Sequence, residues 1–141
     1  MRAFVLDASV AVKWVVEEEF TDRALGMLEA SADLSAPGHW LGEVATALWA
    51  AAAVHRVVPR AQVDDRLRWL TELGVRETPV ASLISSAAAL AFELHATPYD
   101  TLYLALAERL RVPLVTADRK LFDKASAVPR LAPLTVWVGD L

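Results

Sequence analysis

Four acids stand where carboxylates could act together: Asp7, Glu43, Asp100 and Asp118. Asp7 ends the apolar run Phe4-Val5-Leu6, and Asp118 follows Leu114-Val115-Thr116-Ala117. Both runs suit strands buried on two faces, as parallel strands are. In an open parallel sheet such strands end on one edge, which is where ligands bind. Glu43 and Asp100 fall near the starts of helical stretches, and helices that begin at strand exits start at that same edge. Singly, each acid has a simpler job. Asp7 and Asp118 can N-cap helices, Asp100 can close a capping box three residues after Thr97, and Glu43 can sit at the positive end of a helix dipole. A cap contributes about 1 kcal/mol, reason enough for an acid.

Together the four acids are crowded, and that changes the reading. Like charges about 4 Å apart repel by roughly 1 kcal/mol in water and several-fold more near a partly buried surface. A bound divalent cation is the simplest relief. Mg²⁺ and Mn²⁺ are hard ions that take oxygen ligands and keep waters, which suits an all-carboxylate site. Such a site polarises a phosphodiester, lowers the pKa of a bound water and neutralises charge at the leaving oxygen. Ser9 and Thr116 are short hydroxyl residues placed to support the acids or orient water.

Other chemistries lack support. The chain has no cysteine, so disulfides and thiolate metal sites are excluded. His39, His55 and His95 have no zinc-site spacing and read as structural or surface residues. There is no G-x-S-x-G, G-x-G-x-x-G or P-loop motif. A net charge of −4 argues against indiscriminate nucleic-acid binding through bulk charge, while leaving room for a local basic patch.

The elements that must position the acids follow from periodicity. With 141 residues, 55% of them hydrophobic, the chain is expected to form one globular domain over 1–141. Helices are expected at Ala8–Val16, from an N-cap at Thr21 to about Ala30, and from His39 to His55. Further helices are expected at Arg60–Leu73 behind Pro59, at Val80–Ala96, from Thr97-Pro98 to Leu110, and after Asp118 to Lys124. Strands are expected at Phe4–Leu6, Leu34–Ala36, Val75–Thr78, Leu114–Thr116 and Thr135–Val138. About five strands alternating with about seven helices imply an α/β fold, a central parallel sheet with helices on both faces. No apolar run reaches the roughly 18 residues of a membrane span, and no signal peptide is evident, so a soluble cytoplasmic protein is expected.

Read as an ordered set, Phe4-Val5-Leu6-Asp7-Ala8-Ser9, Glu43 in an Ala-rich helix, Thr97 to Ala107 and Leu114-Val115-Thr116-Ala117-Asp118-Arg119-Lys120-Leu121-Phe122 resemble the PIN-domain ribonucleases. Within them the chain looks most like the VapC toxins of bacterial toxin–antitoxin pairs. The match spans nearly the whole chain, and Asp7, Glu43, Asp100 and Asp118 fall on the family's four acidic positions. The resemblance implies a three-layer α/β/α fold and Mg²⁺- or Mn²⁺-dependent endoribonuclease activity. It implies a cognate antitoxin whose C-terminal segment covers the active-site groove, and a toxin homodimer. Asp123 lies near a further acid that some members carry.

A nuclease must hold the phosphate backbone. Arg119, Lys120 and Lys124 lie just past Asp118, and Lys13 and Arg23 are further candidates for RNA contact. Trp14, Trp40, Trp49 and Trp69 are expected in the core, with Trp14 the first choice for an anchor if a partner helix docks. Two other functions compete. A haloacid-dehalogenase-like phosphatase needs a second acid two residues after Asp7, where Ser9 stands, and a phosphotransfer receiver needs a late strand-end Lys that Leu134 to Val138 does not offer. A non-cleaving RNA-binding PIN module would not need all four acids.

Overall fold

The computed structural model describes residues 2–30 and 32–141. Among them, five strands form one sheet: β1 (Ala3–Leu6), β2 (Asp33–Pro37), β3 (Arg76–Thr78), β4 (Leu114–Thr116) and β5 (Thr135–Trp137). Every pairing is parallel, and the order is β3-β2-β1-β4-β5. The central strand is β1, whose Phe4, Val5 and Leu6 are buried. This explains the uninterrupted apolar run: a strand with neighbours on both edges and helices on both faces has no side facing water.

The helices are α1 (Ala8–Val15), α2 (Thr21–Glu29), α3 (Trp40–Ala53), α4 (Val63–Thr71), α5 (Val80–Leu94), α6 (Pro98–Leu110) and α7 (Arg119–Ser126). From β1 the chain steps outward to β2 and β3, then returns past β1 to β4 and β5. Right-handed crossovers therefore put α1 to α4 on one face and α5 to α7 on the other. The packing agrees: α1 meets α2 and α3, while α6 lies against β1, β2 and β4 and carries α5 on its outer side. The architecture is three-layer α/β/α. The strand order reverses between β1 and β4, so the crevice at their carboxyl ends is the switch point where such sheets bind ligands. Asp7 and Asp118 stand at those two ends.

Several boundaries differ from the sequence expectation. Thr21 is not an N-cap. Phe20 holds that place with a left-handed backbone (φ 67°), and the Thr21 hydroxyl turns back to accept from the Glu18 amide at 3.0 Å. Arg60–Leu73 is not one helix: Arg60–Gln62 is a 3₁₀ turn, and α4 ends at Thr71. Val138 begins a 3₁₀ turn instead of ending β5. Thr97 is N-cap by position, but its side chain bonds none of the first-turn amides. Among the described residues no single helix is long and apolar enough to cross a membrane.

Candidate functional site

Asp7 is the most constrained of the four acids. It is the N-cap of α1, accepting from the Ser9 amide at 3.2 Å, and it is only 6% exposed. Its other oxygen accepts from the Thr116 hydroxyl at 2.7 Å. Thr116 Oγ1 in turn accepts from the Asp118 amide at 3.0 Å, and the Ser9 hydroxyl accepts from the Ala117 amide at 3.0 Å. The two hydroxyl residues thus tie the end of β1 to the end of β4. Asp118 caps α7 by accepting from the Leu121 amide at 3.2 Å. Capping and site placement are therefore the same event for both acids. A carboxylate that caps a helix at a strand exit is already fixed at the sheet edge.

Glu43 lies in the first turn of α3 and is held from two sides. Tyr103 Oη donates to its Oε1 at 2.6 Å, and His39 Nε2 lies 2.9 Å from the same oxygen. His39 Nε2 is also 2.9 Å from the Tyr99 carbonyl. Both neighbours are acceptors, so this nitrogen carries the hydrogen. The buried Nδ1 has no hydrogen-bond partner among the described residues. His39 and Tyr103 are the supporting residues that sequence reading missed. Their signal was spacing: His39 lies one helical turn before Glu43, and Tyr103 lies one turn after Asp100, toward the same end of the molecule.

The electrostatics join the four acids. Burial pushes the Asp7 carboxyl up to about 6, against the downward pull of the Thr116 and Ser9 hydrogen bonds, and the charges of Glu43 and Asp118 add to the rise. Asp100 is raised by burial and by the charges of Asp118 and Glu43, opposed by the Thr97 hydroxyl and the Lys124 ammonium. For Glu43 burial acts upward, but the hydrogen bonds from His39 and Tyr103 outweigh it and hold the carboxyl low. Burial would lower His39, yet its bonds to Glu43 and Tyr99 carry it upward. Burial and the charges of Asp7 and Glu43 raise the Tyr103 phenol, so it remains a donor.

The donor set is all oxygen. Among the described residues no three His, Asp or Glu side chains converge into a ready-made cation cage. An all-oxygen donor set suits Mg²⁺ or Mn²⁺, hard ions that take oxygen ligands. Mg²⁺ usually keeps several waters and binds through one or two carboxylates plus substrate oxygens. Burial is the larger cause of the rise at Asp7 and Asp100, and repulsion among the acids adds to it; a bound cation would relieve that added part.

The basic residues divide. Lys120 and Lys124 border a pocket of about 400 Å³ with Asp100 and Asp118, and Lys124 Nζ donates to the His95 carbonyl at 2.6 Å. Arg119 lies 4.0 Å above the Trp137 ring and pairs with Asp123 at 3.8 Å, which leaves Asp123 an exposed ion-pair partner on α7. Lys13 does not face this site. It is buried in α1 and its ammonium is committed to Glu18 at 3.0 Å. Arg23 is bonded to the carbonyl of Leu141 and sits in a separate groove with Phe4 and Met27. Of the tryptophans, Trp40 and Trp14 are buried in the core, with Trp14 Nε1 donating to the Ala24 carbonyl at 2.8 Å. Trp49 and Trp69 are 59% and 40% exposed, not core as expected.

Comparison with known proteins places this geometry. The family model for the PIN domain matches residues 4–127, a span that includes all four acids. The chain is 30% identical over 126 residues to ribonuclease VapC3 of Pyrobaculum aerophilum, covering 88% of this chain and 95% of that protein. Its fold matches a toxin–antitoxin complex from Klebsiella pneumoniae with a TM-score of 0.66, at 19% identity and over 94% of this chain and 95% of that one. It also matches VapBC2 of Rickettsia felis, bound there to a DNA fragment from its promoter, with a TM-score of 0.63 at 13% identity, over 96% and 98% of the two chains. With the family model spanning most of the chain and the VapC relative matched over nearly its full length, this chain belongs to the PIN-domain family.

Proposed function

We propose that this chain, as a single PIN domain, is a divalent-metal-dependent endoribonuclease and the toxin of a toxin–antitoxin pair. The observation that carries the reading is the Asp7 carboxylate buried at the β1–β4 switch point, raised first by that burial and further by the charges of Glu43 and Asp118. Its full-length relative is named a ribonuclease, and a fold neighbour is a toxin–antitoxin complex.

In this reading Asp7, Glu43, Asp100 and Asp118 would hold Mg²⁺ or Mn²⁺. When bound, the ion supplies Lewis acidity at the phosphodiester and a water of lowered pKa. The remaining work falls to the chain. Thr116 fixes the Asp7 carboxylate, and Tyr103 and His39 both engage Oε1 of Glu43, leaving Oε2 free of these two bonds. Lys120 and Lys124, beside Asp100 and Asp118, attract the RNA backbone to the crevice. A cognate antitoxin that covers the crevice and a homodimeric toxin complete the proposal, as does a cytoplasmic location.

Incubating the chain, free of antitoxin, with structured RNA and Mg²⁺ or Mn²⁺ tests the reading beside Asp7→Asn and Asp100→Asn. Cleavage by the native chain and its loss in both variants is expected. Equal cleavage by all three would overturn the assignment. A phosphatase acting through the same acids would instead release phosphate from small phosphomonoesters and leave RNA whole.

A further inference from the structure

We infer that the open pocket beside Glu43 is a subsite for one nucleobase of the RNA, with Tyr99 as its stacking wall. The inference rests on the ribonuclease reading above. The pocket holds about 580 Å³ and is lined by Gly38, His39, Gly42, Glu43, Thr46 and Tyr99. It therefore shares Glu43 with the acidic centre, and Tyr99 directly precedes Asp100.

Three features of the pocket point to a base. The first is Tyr99, 64% exposed, with its ring centroid 5.4 Å from that of His39. Its backbone is not loose, because the Tyr99 carbonyl accepts from His39 Nε2 at 2.9 Å and the residue lies in the first turn of α6. An aromatic ring carried on a fixed backbone and left open to solvent is a platform on which any base can stack.

The second feature is Gly42. It lies in the first turn of α3, directly before Glu43. A β-carbon at Gly42 would meet no atom within 4 Å, so packing does not require glycine there. What a side chain would do is narrow the space that Gly42 borders. The third feature is charge. The lining has a carboxylate and no Lys or Arg, which disfavours a phosphate there. The phosphate backbone is left to Lys120 and Lys124, in a separate pocket that Asp100 and Asp118 line.

The test measures binding apart from cleavage. Every arm carries Asp7→Asn, so that RNA stays whole, and contains Mg²⁺. The probes are 5′-fluorescein hexaribonucleotides of A, C or U, followed by anisotropy. Tyr99→Ala is expected to weaken binding of the preferred hexamer about tenfold, in line with the loss of one stacked base. Tyr99→Phe, which keeps the ring, stays within threefold of the parent. Gly42→Leu weakens binding to a similar extent while melting no lower than the parent, which separates a filled pocket from a damaged fold. A loss below threefold in Tyr99→Ala or Gly42→Leu, or no binding of any hexamer by the parent, overturns the subsite. If the native chain cuts RNA while these variants bind like the parent, the subsite alone falls. If the native chain cuts nothing and the parent binds nothing, both readings fall.

Discussion

The Thr116 hydroxyl donates to Asp7 Oδ2 at 2.7 Å, joining residues 109 apart in sequence across the β1–β4 seam. The same hydroxyl accepts from the Asp118 amide at 3.0 Å, so one fully buried oxygen holds two of the four acids. Replacing it by an isosteric methyl in Thr116→Val leaves both groups short of a partner. Stability is expected to fall by about 1–3 kcal/mol. Because the lost bond favoured the charged carboxylate, the Asp7 pKa should rise above its present value of about 6. Urea unfolding and carboxyl-carbon NMR titration measure the two effects, and Thr116→Ser should restore both.

Asp7 also sets a pH dependence on the metal-free chain. Its folded pKa, about 6, lies above the ordinary 3.8, so folding favours the protonated form. The stabilisation from this group is complete below about pH 3.8 and is lost as pH rises through about 6. At pH 7.5 the charged, buried Asp7 therefore costs at most about 3 kcal/mol. Asp7→Asn, which keeps an N-capping oxygen, should melt higher than the native chain at pH 7.5 and no higher at pH 4. Equal melting temperatures at pH 7.5 would show that burial does not strain this carboxylate.

A divalent ion should reverse that penalty. Titrating MnCl₂ into the metal-free chain at pH 7.5 is expected to raise its melting temperature with a saturable dependence. The gain is about 2.7 kcal/mol at one hundred times the dissociation constant. Asp7→Asn and Asp100→Asn should show a weaker or absent shift, and EDTA should return the native chain to its starting value. An equal shift in both variants would move the ion away from these acids.

Much of this was legible in the sequence because local and global demands coincide at β1 and β4. A strand buried on both faces must be apolar throughout, and a helix leaving its end calls for a cap, so Phe4 to Asp7 and Leu114 to Asp118 announce strand, edge and acid together. Legibility failed where a side chain's direction mattered more than its type. Thr21 has the composition of an N-cap, but its hydroxyl faces back to Glu18, and the reversal falls on Phe20. Lys13 has the charge of an RNA contact, but helical phase buries its stem and turns its ammonium to Glu18. His39 and Tyr103 went unnoticed as partners of Glu43 because the bond to Tyr103 spans 60 residues and depends on how α3 and α6 pack.

Tyr103→Phe tests that missed pair. Removing the hydroxyl takes one donor from Glu43 and leaves His39 as the other. The Glu43 pKa should rise, since the lost bond held it down. Stability should fall by about 1 kcal/mol. Partners that orient a metal-binding carboxylate typically cost 10–100-fold in metal affinity when lost, so calorimetric titration with Mn²⁺ should show weakening in that range. Unchanged affinity would assign Tyr103 to core packing alone.

The basic residues of α7 are expected to contribute unequally to RNA binding. Lys120 is exposed beside Asp100 and Asp118, whereas the Arg119 guanidinium is already stacked on Trp137 and paired with Asp123. Each phosphate contact adds about one to the slope of log affinity against log salt. Lys120→Glu should therefore weaken binding across RNA sequences and flatten that slope by about one. Arg119→Glu alone should change the slope less, because the native charge is partly committed within α7. The double reversal should at least match Lys120→Glu. Anisotropy titrations over a range of KCl concentrations give all three slopes. A slope unchanged by the double reversal would take α7 out of the RNA path and leave the backbone to be held elsewhere along the crevice.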